Sequence, residues 1–179
     1  MAQTIAKTAP GDVKLRPWSL SDAEALVRLA DDREIWLNLR GPFPHPVTIP
    51  TAELWLADHV ASPAPRTGFA VLAGGEVAGG VSLRQREDEH RTCADLGFWV
   101  GRPFWGQGIG TAAVRIATAY AFDTLGLERV QAFVFDWNEA SSRVLEHCGF
   151  TFEGRLRRYV LKDGRYGDAL LYSRLRSDP

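Results

Sequence analysis

The chain is poor in sulfur, which limits the kinds of site it can build. Its 179 residues include two cysteines, Cys93 and Cys148, and one methionine. The cysteines form no CxxC pair, and the four histidines show no zinc-binding spacing. We therefore expect two buried free thiols and no metal site.

Net charge and long apolar runs are also lacking. The 21 Lys and Arg residues nearly balance the 22 Asp and Glu residues, and the isoelectric point is about 6.4. This balance argues against nucleic acid as a main partner. No apolar run approaches the roughly 18 residues that cross a bilayer, and the polar start "MAQTIAKTAPGDV" does not resemble a secretory signal. We expect a cytoplasmic protein with no membrane partner.

The length and the hydrophobic pattern predict one mixed domain. Residues 1–11 are expected to form a flexible tail, and residues 12–179 a single domain. Apolar periodicity predicts the order β-α-α-β-β-β-α-β-α-β-β. This order is typical of an α+β, or mixed α/β, architecture with helices packed on a largely antiparallel sheet.

Local signals predict where several elements begin and end. Ser21 and Glu24 have the spacing of a capping box for the first helix. Four prolines between positions 41 and 50 predict an extended loop. Asn138 is expected to cap the last helix at its N-terminus. The pairs "GG" at 74–75 and "DG" at 163–164 predict hairpin turns.

The segment "WVGRPFWGQGIGTAAVRIATAYAF", residues 99–122, joins a predicted strand to a predicted helix through a glycine-rich turn. The turn contains Gly106, Gly108 and Gly110, which would expose backbone amides at the start of the helix. An anionic group can approach such amides directly. No Walker or Rossmann glycine pattern is present. The pattern alone leaves two interpretations open, a diphosphate site and a purely structural corner.

Two motifs in this order and spacing resemble those of a known family. They are Gly106-x-Gly108-x-Gly110 before a helix, and Asn138 followed by Gly149-Phe150. Residues 13–176 resemble the GNAT superfamily of acyl-CoA-dependent N-acetyltransferases, in the branch of the ribosomal-protein acetyltransferases RimJ and RimL. The resemblance implies six to seven strands, about four helices and a sheet that splays at its two central strands. Trp105 departs from the general motif, which has Gln or Arg there.

The resemblance also implies a cofactor site for acetyl-CoA without a metal. Backbone amides of five residues would hold the pyrophosphate of coenzyme A: Gln107, Gly108, Ile109, Gly110 and Thr111. The pantetheine arm would lie against the backbone of three strand residues, Phe98, Trp99 and Val100. Asn138 would bond the same arm, in addition to capping its helix.

The chemistry needs a route for a proton, and two residues are candidates for it. Asp95 is the first choice for the base, acting through a water molecule; the alternative is that it pairs with Arg91 or with another strand. Many GNAT enzymes have a tyrosine acid where this chain has Leu145. Ser141 or a water is therefore the candidate to protonate the leaving thiolate.

The acceptor side is less defined by the sequence. Trp36, Phe43 and His45 are expected to wall the acceptor site, and the acceptor would be a protein N-terminus or a small amine. The two closing strands could pair between subunits of a homodimer. Two other functions remain open: a non-catalytic acyl-CoA-binding sensor of the same fold, and a nucleotide-binding enzyme that uses the same glycine turn.

Overall fold

The computed structural model describes residues 12–41 and 43–179, so the predicted tail at 1–11 lies outside the described residues. Within these residues the chain forms, in order, β1 (Val13–Pro17), α1 (Ala23–Ala30), α2 (Arg33–Asn38), α3 (Ile49–Ala61), β2 (Gly68–Ala73), β3 (Glu76–Gln85), β4 (Cys93–Val100), α4 (Ile109–Asp123), β5 (Arg129–Phe135), α5 (Glu139–His147), β6 (Thr151–Lys162) and β7 (Arg165–Leu175). The predicted mixed α and β class is confirmed, with one more helix before β2 than expected.

The strands form one seven-stranded sheet in the order β1-β2-β3-β4-β5-β7-β6. Every neighbouring pair is antiparallel except β4 and β5, which are parallel. These two strands pair only from Cys93–Arg129 to Asp95–Gln131. Beyond that point β4 stays paired with β3 as far as Val100, and β5 stays paired with β7 as far as Phe135. The central strands therefore separate into a wedge-shaped gap, which confirms the predicted splay.

The two faces of the sheet carry different helices. The buried side chains of α4 and Leu145 of α5 share a core with Ala94, Leu96 and Val130 on one face. Residues of α1 and α3 pack with Trp18, Ala70 and Val77 in a second core. Because side chains alternate along a strand, Asp95, Gln131 and Phe133 project from the face opposite α4. The gap between β4 and β5 is thus bordered by α4 and α5 on one face of the sheet and by Asp95, Gln131 and Phe133 on the other.

Helix α4 is buried along the stripe that its sequence predicts. The predicted stripe residues Ile109, Ala112, Ala113, Ile116 and Ala117 are buried, and Tyr120 is half-buried. Val114, Thr118 and Ala121 are also buried, and α4 packs both on the sheet and against α5. This double burial fixes the start of α4 against the gap.

Three local predictions before β2 were wrong in detail. The capping box is formed by Ser19 and Asp22, on a 3₁₀ turn that precedes α1, and not by Ser21 and Glu24. The six-residue helix α2 is too short for a periodic signal and is held at its start by the Asp32 side chain. Pro50 lies in the first turn of α3, where a missing N–H costs little, so the proline-rich loop ends at Thr48.

The predicted hairpin turns are confirmed. Gly74 and Gly75 both have positive φ, as do Asp163 and Gly164. Two successive residues with positive φ define the type I′ turn, whose twist matches that of the strands it joins. Each turn therefore sets the pairing of the residues next to it, and the register shifts further along, at one point between β2 and β3 and at two points between β6 and β7.

One carboxylate links three strands by hydrogen bonds, and its contribution to stability depends on pH. Glu153 of β6 accepts hydrogen bonds from Arg129 of β5 and from Ser173 of β7. The Arg129 bonds lower the pKa of Glu153 from 4.5 to about 2. Its contribution to stability is therefore present above pH 4.5 and is lost as the pH falls towards 2.

We expect Glu153→Gln to lower the free energy of unfolding by about 1 kcal/mol at pH 7, a value reduced because the carboxylate is 35% exposed. The difference from the wild type should shrink as the pH falls from 5 to 2.5 in urea titrations. Glu128→Gln is the matched control, since it removes a more exposed carboxylate 3.5 Å from Arg176. An equal effect of the two substitutions would contradict the prediction.

Candidate active site

The glycine turn leaves an exposed set of backbone amides at the start of α4. Gly106 and Gly108 both have φ +73°, and a Cβ on either would meet nothing within 4 Å. No side chain caps the helix, and Ala112 is the first residue whose N–H bonds back, to the carbonyl of Gly108. Among the described residues, the amides of Ile109 to Thr111 find no protein acceptor. These amides form the positive end of the helix dipole, and this end is open to an anion.

Two side chains in the turn fold away from these amides. Trp105 donates its indole N–H to the carbonyl of Val100 at 2.6 Å, and the Arg102 guanidinium lies over the ring at 4.9 Å. Gln107 donates its side-chain amide to the carbonyl of Pro103 at 3.0 Å. The aromatic residue that departs from the family motif thus ties the turn to the end of β4.

Gly110 brings three predicted cofactor residues together. A Cβ built on it would lie 3.6 Å from Val100, 3.8 Å from Val144 and 4.0 Å from Phe98. The start of α4 therefore lies against α5 and against the half of β4 that does not pair with β5. Phe98, Val100 and Gly110 line the gap on the α4 face.

Asn138 begins α5 on the other side of this gap. Its side-chain oxygen accepts the backbone N–H of Ser141 at 3.1 Å, so the predicted capping role is confirmed. The capping bond uses only the oxygen of the amide, and among the described residues its nitrogen donates to no partner. Ser141 is half-buried one turn into the helix, whereas Leu145 is fully buried and packs in the core.

The structure places the Trp99 side chain away from the α4 face, and it does so through glycines that sequence reasoning missed. A Cβ on Gly80 would lie 2.7 Å from the Trp99 indole nitrogen and 2.9 Å from Trp18. A Cβ on Gly79 would overlap the backbone carbonyl of Trp99. Consecutive glycines inside a strand are a signal of such close approach. On the α4 face of the sheet, Trp99 therefore borders the gap with its backbone.

Asp95 lies at the point where β4 and β5 separate, and it is held by three side chains. Only 5% of its surface is exposed. Arg84 of β3 donates at 3.0 Å, Arg86 just after β3 at 3.1 Å and Gln131 of β5 at 2.9 Å, so its partners do not include Arg91. Burial opposes ionisation of Asp95, but these hydrogen bonds outweigh it and lower the pKa. A carboxylate held in this way is a weak proton acceptor, so the geometry does not favour the predicted base role.

The residues predicted to wall the acceptor site are divided between two places. Phe43 packs edge-on against Trp55, with ring centroids 5.7 Å apart, and lies 6.2 Å from Trp99. Trp36 instead stacks on His45 at 5.1 Å. The Lys162 ammonium lies over the Trp36 ring at 4.0 Å, which places this second group beside β6.

A cleft of about 400 Å³ lies between the chain after α2, the half of β5 that does not pair with β4, and the end of β6. Its lining residues are Leu39, Arg40, Gly41, Phe133, Phe135, Tyr159, Val160, Leu161, Lys162 and Ala169. Phe133 follows Gln131, the last β5 residue paired with β4, so the cleft adjoins the gap on the face opposite α4. Sequence reasoning missed this cleft because its walls come from elements that are distant in the chain.

Two further properties of the described residues bear on the kind of site. Within residues 12–41 and 43–179, no group of three or more His, Cys, Asp or Glu side chains is arranged to hold a metal ion. No helix in the same ranges combines the length and the apolar character needed to cross a membrane.

Known proteins share this sequence and this fold. The profile of the family described as "Acetyltransferase (GNAT) domain" matches residues 12–151. The chain is 36% identical over 108 residues to the putative ribosomal N-acetyltransferase YdaF of Bacillus subtilis (strain 168), which covers 60% of this chain but only 58% of YdaF. It is 27% identical to spermidine N(1)-acetyltransferase of Escherichia coli (strain K12), over 88% of this chain and 83% of that protein.

A solved structure extends the likeness over almost the whole chain. Mycobacterium smegmatis RimJ in complex with CoA-disulfide superimposes with a TM-score of 0.83 at 27% identity, over 98% of this chain and 85% of RimJ. The splayed sheet, the glycine turn before α4 and the Asn138 cap of α5 agree with the sequence matches. This chain belongs to the GNAT acetyltransferase family.

Proposed function

We propose that the protein is an acetyl-CoA-dependent N-acetyltransferase that moves an acetyl group to a primary amine by direct attack in a ternary complex. The observation that carries the proposal is the gap between β4 and β5. It has unpaired helix amides on one face of the sheet and a cleft on the other. A donor and an acceptor can therefore meet in the gap from opposite faces.

The donor binds along the α4 face. The amides from Gln107 to Thr111 hold its pyrophosphate, because they are unpartnered and lie at the positive end of a helix dipole. Its pantetheine arm follows the unpaired edge of β4 at Phe98, Trp99 and Val100, as an added strand would. The free side-chain nitrogen of Asn138 donates to the arm from the other side of the gap.

The reaction is a direct acyl transfer. The amine nitrogen attacks the thioester carbonyl carbon, a C–N bond forms, and the C–S bond breaks with its electron pair on sulfur. A backbone N–H near Val100 stabilises the oxyanion in the tetrahedral intermediate. The proton that the nitrogen loses is balanced by the proton that the released thiolate gains.

Proton transfer uses water more than side chains in this proposal. Asp95 is committed to Arg84, Arg86 and Gln131, so it shapes the gap and the amine loses its proton to water in the open cleft. Leu145 is fully buried and cannot donate a proton. Ser141, or a water beside it, protonates the thiolate, although a coenzyme A thiolate can also leave without an acid.

The cysteines support direct attack over an acyl-enzyme intermediate. Cys148 is buried, its thiol points at the carbonyl of Thr111 at 3.4 Å, and burial raises its pKa. A thiol with a raised pKa is a poor nucleophile. Cys93 lies at the start of β4, five residues before the gap-lining Phe98.

Two observations favour a second candidate, a non-catalytic acyl-CoA-binding sensor. The tyrosine acid common in the family is replaced by the buried Leu145, and Asp95 is held by arginines. Such a protein would bind the acyl donor but would transfer nothing.

Thiol release from acetyl-CoA, measured with N-terminal peptides, polyamines, amino acids and aminoglycosides, separates the two functions. Amine-dependent thiol release is the expected result. Calorimetric binding of coenzyme A without release for any amine would support the sensor. Binding of ATP in preference to coenzyme A would overturn both and support a nucleotide-binding enzyme.

A further inference from the structure

The cleft opposite α4 holds two cations that no described carboxylate neutralises. The Arg40 guanidinium lies over the Phe133 ring at 4.6 Å. Lys162 donates to the carbonyl of Leu39 at 3.2 Å and lies over Trp36. Among the described residues, neither cation forms an ion pair.

The acids near these cations are already paired. Asp163, next to Lys162, is bonded to Arg33. Asp95, which lies within electrostatic range of Arg40, is bonded to Arg84 and Arg86. The carboxylates nearest the cleft are therefore paired with other arginines, and neither of them forms an ion pair with Arg40 or Lys162.

Both cations would gain from an anionic partner. Burial lowers the pKa of Arg40, and the neighbouring Arg84 and Arg86 act in the same direction, while Asp95 opposes them. Burial also lowers the pKa of Lys162. A ligand carboxylate or phosphate would replace the lost hydration with charge-assisted hydrogen bonds.

The cleft also has a flat apolar wall. Phe133 and Tyr159 stack with centroids 5.9 Å apart and planes 17° apart. Tyr159 is 57% exposed, so its ring is accessible to a ligand, whereas Arg40 lies over the Phe133 ring. The wall and the two cations lie on the same side of the gap, where the acceptor amine must arrive.

We propose that the acceptor is an amine that also carries a carboxylate or phosphate group, which Arg40 and Lys162 bind while the apolar part of the molecule lies against Tyr159. This inference rests on the proposed function. It excludes polyamines as good acceptors, because their second and third positive charges would meet these cations. A spermidine acetyltransferase that is 27% identical thus differs from this protein in the class of acceptor.

Acceptors that differ only in the anionic group test the proposal. L-phenylalanine, L-phenylalaninamide and phenethylamine keep the amine and the ring but differ in the carboxylate. We expect kcat/KM for phenylalanine to exceed that for phenethylamine by about 10- to 100-fold, mainly through KM. Spermidine should be a poor substrate. Equal use of phenethylamine or spermidine would overturn the proposal.

Variants connect the preference to the two cations. Arg40→Gln and Lys162→Gln should each reduce the ratio of phenylalanine to phenethylamine, and the double variant should bring it close to one. Arg165→Gln is the matched control, because Arg165 also lies over an aromatic ring, that of Trp137, but outside the cleft. An unchanged ratio in the double variant would contradict the assignment.

Two more acceptors identify the source of the anion. A peptide with an acidic residue after its N-terminal serine tests a side-chain carboxylate, and O-phosphoethanolamine tests a phosphate. The acceptor whose KM rises most in Arg40→Gln names the group that the cleft binds.

A binding measurement needs no turnover and separates the two proposals. Calorimetry compares the products N-acetyl-L-phenylalanine and N-acetylphenethylamine. Tighter binding of the carboxylate product, lost in the double variant, supports the cleft assignment even if no amine is acetylated and the proposed function fails. Equal affinity for the two products overturns this inference and leaves the proposed function intact.

Discussion

Gly108→Glu is expected to weaken coenzyme A binding by at least about 100-fold, which corresponds to about 2.7 kcal/mol. Gly108 has φ +73°, and its absent side chain leaves open space at the start of α4. A glutamate would extend into that space, where it would repel a pyrophosphate and block the amides proposed to bind it. Calorimetric titration with coenzyme A measures the loss directly.

The chain offers a matched control for the strain of this substitution. Gly126 follows α4, at its opposite end, with φ +67° and nothing within 4 Å of a built Cβ. A non-glycine residue with positive φ costs about 1–2 kcal/mol, so Gly108→Glu and the control Gly126→Glu should lower the free energy of unfolding by similar amounts. Only Gly108→Glu should lose coenzyme A. Equal affinity in the two variants would remove the glycine turn from the cofactor site.

Asp95→Ala is expected to lower the free energy of unfolding by about 2–3 kcal/mol, because it removes hydrogen bonds to a charged group and leaves the buried Gln131 amide without its acceptor. Arg84 is 76% exposed and can return to water, which limits the loss. The pKa of Asp95 is lowered in the folded state, so this stabilisation is present above pH 4 and is lost as the pH falls through the folded value. Urea titrations at pH 7 and pH 3 test both the size and the sign.

Asp95→Asn separates a positioning role from catalysis. The amide keeps the size of the side chain and part of its hydrogen bonding, so turnover should stay within about tenfold of the wild type. The pH profile of kcat should keep its shape. A loss of kcat beyond about 100-fold in a variant that unfolds at the wild-type urea concentration would restore Asp95 as the base.

Features set by neighbouring residues were predictable from the sequence. The repeat of apolar residues from Ile109 to Tyr120 predicts α4 and its buried stripe, and Asn138 predicts the start of α5. The pairs at 74–75 and 163–164 predict both tight hairpins. Each of these signals lies within one element or one turn, where backbone geometry and side-chain periodicity act locally.

Short or competing signals were less reliable. Helix α2 has six residues, too few for a period, and Pro50 is compatible both with a loop and with the first turn of a helix. Ser19 and Ser21 lie two residues apart, and either could cap the helical segment. The Asp22 side chain accepts the backbone N–H of Ser19 and also pairs with Arg16, so Ser19 is the cap. The same carboxylate thus caps the helical segment and pairs with Arg16 of β1, a contact that the local spacing of serines does not reveal.

The sequence by itself determined the order of the seven strands and of four of the five helices, and it predicted the exposed glycine turn. Only the tertiary structure decided the state of Asp95, because its partners are Arg84 on β3, Arg86 just after β3 and Gln131 on β5. The same holds for the cleft, where Arg40 follows α2, Phe133 lies on β5 and Lys162 ends β6. Their positions and charges combine only after the sheet forms, since pairing of distant strands brings them together.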